Sequence, residues 1–216
     1  MIHHTFLKAG RLLAAMLLLG AAVCAQAQVI QAGREYLVLN PPRPVATGAK
    51  IEVIEFFYYG CPICYEFQPQ FSRWLTTAPD YVALRRVPAV GQESYDTFAK
   101  LFYSLDAMGQ LGRLHWPVYD NYHFDGIKLN DEKVMFDWVA RNGINRDQFI
   151  AAFNSDAVKK KLADSDELMK SYNVKGVPTV VIDGKYVTSG RLAGSTRRLA
   201  VVVDQLVKQA RRERPN

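Results

Sequence analysis

Cys61 and Cys64 stand three residues apart in Cys61-Pro62-Ile63-Cys64, a spacing that suits two thiols to redox work. The reactive form of a thiol is its thiolate, and unpaired N–H groups together with the dipole at a helix N-terminus stabilise such an anion. Pro62 suits the first helical position, where a missing N–H costs nothing. The motif therefore predicts a helix that opens just after Cys61, with the Cys61 sulfur partly exposed and nucleophilic. Cys64, one turn in, lies on an apolar stripe with Phe67, Phe71, Trp74 and Leu75 at spacings of three and four. It should be shielded, and able to attack Cys61 once that sulfur is bound to a partner. A substrate thiolate would attack the oxidised pair at Cys61 and form a mixed disulfide. A second substrate thiolate would resolve it, leaving a substrate disulfide and two enzyme thiols. A stabilised Cys61 thiolate is the better leaving group and makes the reduced form more stable, hence the oxidised form a stronger oxidant.

Two other uses of the pair are weaker. A structural zinc site takes four ligands. Beyond the two cysteines only His115 and His123 are candidates past the first residues, and neither has ligand-like spacing to the motif. A purely structural disulfide closing so short a loop restrains little chain entropy.

The flanking elements make the motif specific. Ile51-Glu52-Val53-Ile54-Glu55-Phe56-Phe57 is β-branched and aromatic, as a buried central strand should be. Tyr58-Tyr59-Gly60 turns the chain out of it. Pro69 should kink the helix that follows. Tyr81 to Val87 reads as a second strand. The period then changes, and helices are predicted over Glu93–Met108, Leu111–Tyr122, Asn130–Arg141, Asp147–Phe153 and about Ser155–Tyr172. Thr179–Ile182 and Lys185–Thr188 flank Asp183-Gly184, a two-residue hairpin signal. Ser195 or Thr196 can cap a last helix through about Arg211. Residues 28 to 50 read as an irregular, extended lead-in, broken by Asn40-Pro41-Pro42-Arg43-Pro44.

The chain of 216 residues is 49% hydrophobic and 22% charged, which excludes a disordered or fibrous protein. Its first 27 residues have the layout of a secretory signal peptide: Lys8 and Arg11, an apolar run from Leu12 to Val23, then Ala25-Gln26-Ala27. The run is short for a membrane span. Cys24 should leave with this leader; the alternative, lipid attachment, sits badly with bulky Val23 before it. Removal of the leader leaves Cys61 and Cys64 as the two cysteines and lowers the formal charge from +6 to +4. That balance gives no reason to expect a nucleic-acid partner. Arg211-Arg212-Glu213-Arg214 reads as a solvated helix end. Export places the thiols in an oxidising compartment.

The stretch from Ile54 to Tyr65 resembles the active-site region of the DsbA family of periplasmic thiol:disulfide interchange proteins. So does Val174-Lys175-Gly176-Val177-Pro178-Thr179 with the Asp183-Gly184 turn behind it. The resemblance covers nearly all of the chain after the leader, although the helical block matches mainly in pattern. It implies an α/β thioredoxin fold carrying an inserted all-helical domain. The division would be a leader over 1–27, a thioredoxin-like domain over 28–92 and 174–216, and a helical insertion over 93–173. It implies catalysis by Cys61 and Cys64 with their own disulfide as the redox group and no further cofactor. It implies that Pro178 is cis and faces the cysteines; a proline that opens a strand donates no ladder hydrogen bond there, and a trans edge proline is the plain alternative. Val177 and Thr179 beside it, with Pro62 and Ile63 between the cysteines, would meet substrate, Val177 through its backbone. Glu55 would be the buried acid that exchanges a proton with Cys64. A lone buried carboxylate tends to stay neutral, and the plain alternative is a strand-end acid reaching solvent. Ile63 departs from the best-known pattern, which has histidine there, so a weaker oxidant is expected. Tyr58, Tyr59 and Tyr65 could form an apolar rim for substrates or simply pack.

Three functions follow as expectations. The first is a monomeric periplasmic oxidase of exported, unfolded or folding proteins with free cysteines, recharged by a DsbB-type quinone-linked membrane oxidase. The second is a reductase or isomerase of the same fold. The third is a peptide-binding, chaperone-like module with an idle disulfide.

Overall fold

The computed structural model describes residues 29–214. The leader and Cys24 lie outside the described residues. The strand β2 (Ile51–Phe57) is buried at all seven positions and forms the middle of the sheet. On one side β2 pairs in parallel with β3 (Val82–Pro88); on the other it pairs antiparallel with β4 (Thr179–Ile182). Strands β5 (Tyr186–Ser189) and β1 (Leu37–Val38) complete the order β1-β5-β4-β2-β3. The two-residue β1 falls in the stretch read as an irregular lead-in. Two residues carry too little alternation to register as a strand, and pairing with β5 alone defines it.

Alternation along β2 divides its side chains between two layers. Ile51 and Val53 face α1 (Pro62–Thr77) and α8 (Thr196–Glu213), packing with Phe67, Phe71, Val202 and Leu206. Ile54 and Phe56 face the other way, toward Val87, Val181 and Tyr172. Between β3 and β4 the chain runs through five helices. They are α2 (Glu93–Ala107), α3 (Leu111–His123), α4 (Glu132–Arg141), α5 (Arg146–Phe153) and α6 (Asp156–Ser171). Side-chain caps from Asp131, Asn145 and Ser155 open α4, α5 and α6. Each such cap stabilises its helix by about 1 kcal/mol. The inserted helices share an aromatic core, and that core continues into the active-site segment through Phe57, Tyr59 and Cys64.

Helix α1 is continuous through Pro69, the position of the expected kink, which sits exposed inside it. A proline there removes one N–H from the ladder, and the packed stripe of Phe67, Phe71 and Trp74 carries the helix through. A short α7 (Gly190–Ala193), capped by Ser189, was not anticipated. Ser195, not Thr196, caps α8, its side chain accepting from the Arg198 N–H at 3.1 Å. The end of α8 is not simply solvated. Arg214 grips Asp183 in an ion pair and Glu213 accepts from the Tyr186 hydroxyl, so the helix end is tied to the hairpin. The hairpin itself is longer than two residues. Asp183 and Gly184 both have positive φ, at 54° and 63°, as the Asp-Gly signal requires. Ile182, however, pairs with Tyr186, so Lys185 stays in the loop and its carbonyl takes the Leu39 N–H at 2.8 Å.

Gly184 is fixed by two constraints. Its φ of +63° is costly for other residues, and an added Cβ would stand 2.1 Å from the Arg43 carbonyl oxygen. Gly184→Ala should therefore destabilise the fold by about 2 kcal/mol or more. Denaturant unfolding of the oxidised protein would measure this; an unchanged midpoint would show that the lead-in moves freely away from the hairpin.

Candidate active site

The chain leaves β2 at Phe57, turns through Tyr58-Tyr59-Gly60 and enters α1. Cys61 is the helix N-cap, with extended backbone (φ −86°, ψ 117°), and Pro62 occupies the first turn. The Cys61 Sγ accepts the Cys64 N–H at 3.3 Å. Serine and aspartate cap helices in the same way; here the acceptor is sulfur, and the bond grows stronger as the sulfur becomes an anion. The Cys61 thiol is held down to about 7 from 9.0. The hydrogen bond from the Cys64 side chain is the largest cause; burial opposes it, and backbone N–H groups of Cys64 and Ile63 assist. Cys64 is fully buried, and burial pushes its thiol well above the ordinary range, with Cys61 adding to the rise. Both cysteines are free thiols in this structure. The pair is thus strongly asymmetric, with one accessible sulfur that ionises near neutrality and one sheltered sulfur that does not.

Val177–Pro178 is a cis peptide bond. The Val177 carbonyl oxygen lies 3.6 Å from the Cys61 Sγ, so the segment before β4 comes up to the reactive sulfur. Pro178 and Thr179 are buried, and the Thr179 hydroxyl donates to the Gly176 carbonyl at 2.7 Å. A groove beside the motif is lined by Ile63, Val177, Pro178, Thr179, Gly190 and Leu37. Ile63 is 48% exposed at its rim. Pro62 is exposed on the helix but does not line the groove.

Glu55 is fully buried, which removes the reading of a strand-end acid in solvent. Nor is it a lone carboxylate. Arg86, its direct neighbour across the parallel β2–β3 pair, donates through Nε at 3.0 Å, and the Gln68 side-chain amide donates to the other oxygen. Burial nonetheless raises the Glu55 pKa, with Arg86 and Gln68 acting against it. Gln68 carried a signal that sequence reasoning passed over: it is a polar residue on the buried face of α1, four residues after Cys64. Arg86 carried none, because strand register decides its pairing.

The three tyrosines separate. Tyr59 is fully buried and packs; it is not part of a rim. Tyr58 stacks on Tyr95 at 4.0 Å, and Tyr65 stacks between Trp116 and His123. His115 and His123 both turn a ring nitrogen toward Tyr59. His115 Nδ1 meets the Tyr59 hydroxyl at 2.7 Å, and His123 Nε2 meets the Tyr59 carbonyl at 2.7 Å.

A dithiol whose outer sulfur caps a helix and whose inner sulfur is buried, on a thioredoxin-type sheet, defines a thiol:disulfide oxidoreductase. The comparisons narrow that class. Residues 52–206 match the family model described as the DSBA-like thioredoxin domain. The thiol:disulfide interchange protein DsbA of Pseudomonas syringae pv. tomato is 40% identical over 185 residues, covering 86% of each chain. That of Azotobacter vinelandii is 38% identical over 182 residues, 84% of this chain and 85% of the relative. The crystal structure of Pseudomonas aeruginosa DsbA superposes with a TM-score of 0.79 at 34% identity, covering 85% of this chain and 95% of that one. The chain belongs to the DsbA family, and it is a thiol:disulfide oxidoreductase with a helical insertion in its thioredoxin fold.

The reduced protein should show two thiol titrations, followed by thiolate absorbance or by alkylation rate against pH. Cys61 should ionise near pH 7 and Cys64 well above the ordinary thiol range. The folded-state Cys61 pKa lies below its unfolded value, so its contribution to the reduced form's stability is full above about pH 9. That contribution is lost as pH falls through about 7. Reduced-state unfolding midpoints should accordingly rise between about pH 7 and pH 8, above the range in which buried His115 contributes and before Cys64 acts the other way near the ordinary thiol pKa of about 8.5. A flat profile would contradict the cap.

Proposed function

We propose that this protein is a periplasmic dithiol oxidase that introduces disulfides into exported proteins. Residues 1–27 would be its cleaved leader, residues 28–92 and 174–216 its thioredoxin-like domain, and residues 93–173 its helical domain. The observation that carries the reading is the half-buried Cys61 sulfur, capped by the Cys64 N–H and lying beside the carbonyl of Val177, a residue that lines a groove with Ile63 and Pro178. An unfolded segment lying in that groove could present its own cysteine to Cys61, with its backbone against Val177. The substrate thiolate attacks Cys61 Sγ, the Cys61–Cys64 bond breaks, and Cys64 leaves as a thiolate that takes up a proton. A second substrate thiolate then attacks the mixed disulfide and expels Cys61 as the stabilised thiolate. The substrate gains a disulfide and the enzyme gains two electrons.

Glu55 is proposed as the group that supplies and recovers the Cys64 proton. Its raised pKa keeps a protonated form within reach, while Arg86 and Gln68 support the anion once the proton has moved. Pro178, Val177 and Thr179 shape the substrate side, and Ile63 forms its rim; Pro62 sets the helix start. A DsbB-type quinone-linked membrane oxidase would reoxidise Cys61 and Cys64, with no external cofactor and with the enzyme acting as a monomer.

Expression in a bacterium lacking its own periplasmic disulfide oxidase tests the reading. The parent chain should restore disulfide formation when the quinone-linked partner is present and fail when it is absent. Cys61→Ala should restore none; retention of activity by that variant would mean a binding protein with an idle disulfide. Ile63→His places a hydrogen-bond donor at an exposed position beside the Cys61 thiolate. It should raise the reduction potential in a glutathione titration by roughly 30 mV, a tenfold change in equilibrium constant. An unchanged potential would show that residue 63 does not tune the pair.

A further inference from the structure

Helix α3 of the insertion carries His115, Tyr119 and His123 at spacings of four, so one stripe of the helix faces the active-site segment. Both histidines reach the same residue. The Tyr59 hydroxyl bonds His115 Nδ1 at 2.7 Å, and the Tyr59 carbonyl oxygen bonds His123 Nε2 at 2.7 Å. A carbonyl only accepts, so His123 carries its proton on Nε2. We infer that His115 and His123 form a two-point clamp on Tyr59 that positions the Cys61 sulfur against the Cys64 N–H.

The geometry explains why so small a device matters. Tyr59 lies two residues before Cys61, within a turn closed by the Cys61 N–H donating to the Tyr58 carbonyl at 3.0 Å. That turn sets the backbone angles of Cys61 and so the aim of its sulfur. The sulfur's bond to Cys64 N–H is 3.3 Å long, and small rotations of the turn would lengthen it. His115 is buried, and burial together with nearby Arg86 holds its pKa well below the ordinary imidazole value, which favours the neutral ring as partner for Tyr59. Its other ring nitrogen has no hydrogen-bond partner among the described residues, so Tyr59 is the contact that its polarity serves. His123 is braced by stacking on Tyr65 at 4.8 Å, with planes 15° apart, and Tyr65 in turn donates to Asp120 at 2.9 Å. Tyr59 is itself fully buried among Phe57, Phe98 and Tyr119. The clamp thus ties the helical insertion to the redox turn, and both histidines act as positioning residues.

The proposal rests on Cys61 being the attacking sulfur, but its test needs no substrate: the reduced protein is titrated by the pH dependence of Cys61 alkylation. A failure to oxidise proteins would sink the oxidase reading and leave this measurement standing. His123→Ala should raise the Cys61 midpoint by about half to one unit and slow alkylation below pH 7 by roughly three- to tenfold, the scale of one lost hydrogen bond. His123→Gln, which returns an amide N–H near the Nε2 position, should restore both to within about twofold. Tyr59→Phe, which removes only the hydroxyl, should shift the midpoint the same way by a smaller amount. Circular dichroism establishes that each variant is folded. An unchanged titration in either folded His123→Ala or Tyr59→Phe overturns the clamp, as does a His123→Gln that behaves like His123→Ala. If His123→Ala does not fold, Tyr59→Phe decides alone.

Discussion

The hydrogen bonding of the Cys61 sulfur by Cys64, from its thiol and from its backbone N–H at the helix start, is the contact on which the site depends. The N–H bond exists because a helix begins with donors that have no partner inside the helix. At most helix starts a hydroxyl or carboxylate takes such a donor; here a cysteine does, and the helix end becomes a thiolate site. The same helix turn that stabilises Cys61 buries Cys64, since residues three apart at this start fall on the rim and on the apolar stripe respectively. One short segment therefore produces two thiols of opposite character. Redox direction follows from that difference, because every proton held back from Cys61 favours the reduced enzyme over its disulfide.

Burial makes the inner half of the site work and also makes it expensive. Cys64 and Glu55 are both enclosed, and a carboxylate so enclosed is tolerable only with partners. Arg86 and Gln68 provide them from two different elements, β3 and α1. The result is an acid with a raised pKa whose anion is still supported, which is the combination a proton reservoir needs. An unpartnered acid would be locked neutral, and a fully solvated one would ionise at once.

The helical insertion is more than a cover. Its aromatic core continues through Phe57, Tyr59 and Cys64, so the motif sits at the seam between the sheet and the inserted helices. A helix that holds a neighbouring backbone carbonyl and a buried hydroxyl fixes a turn more tightly than apolar packing does, because hydrogen bonds are directional. A groove lies between Ile63 and the Pro178 segment, where an extended partner is proposed to bind. The insertion and the groove thus divide the labour of positioning and access.

Local chemistry made the motif readable from sequence. Cys-x-x-Cys after a β-branched strand, proline at the first helical turn and an apolar stripe at three–four spacing are all short-range signals, and the structure places them as read. The helices of the insertion were legible within one or two residues for the same reason, since their caps and glycines are local. Long-range partners were not legible. Arg86 reaches Glu55 only because β2 and β3 pair in one parallel register. His115 and His123 reach Tyr59 only because α3 lies across the turn, over fifty residues away in sequence. Lys185 left its expected strand because the pairing of Ile182 with Tyr186 set the hairpin length. Sequence determined which atoms could do the chemistry, because spacing and propensity act within a helical turn. Tertiary structure alone decided what surrounds those atoms, because register, crossing and burial join residues that the chain keeps far apart.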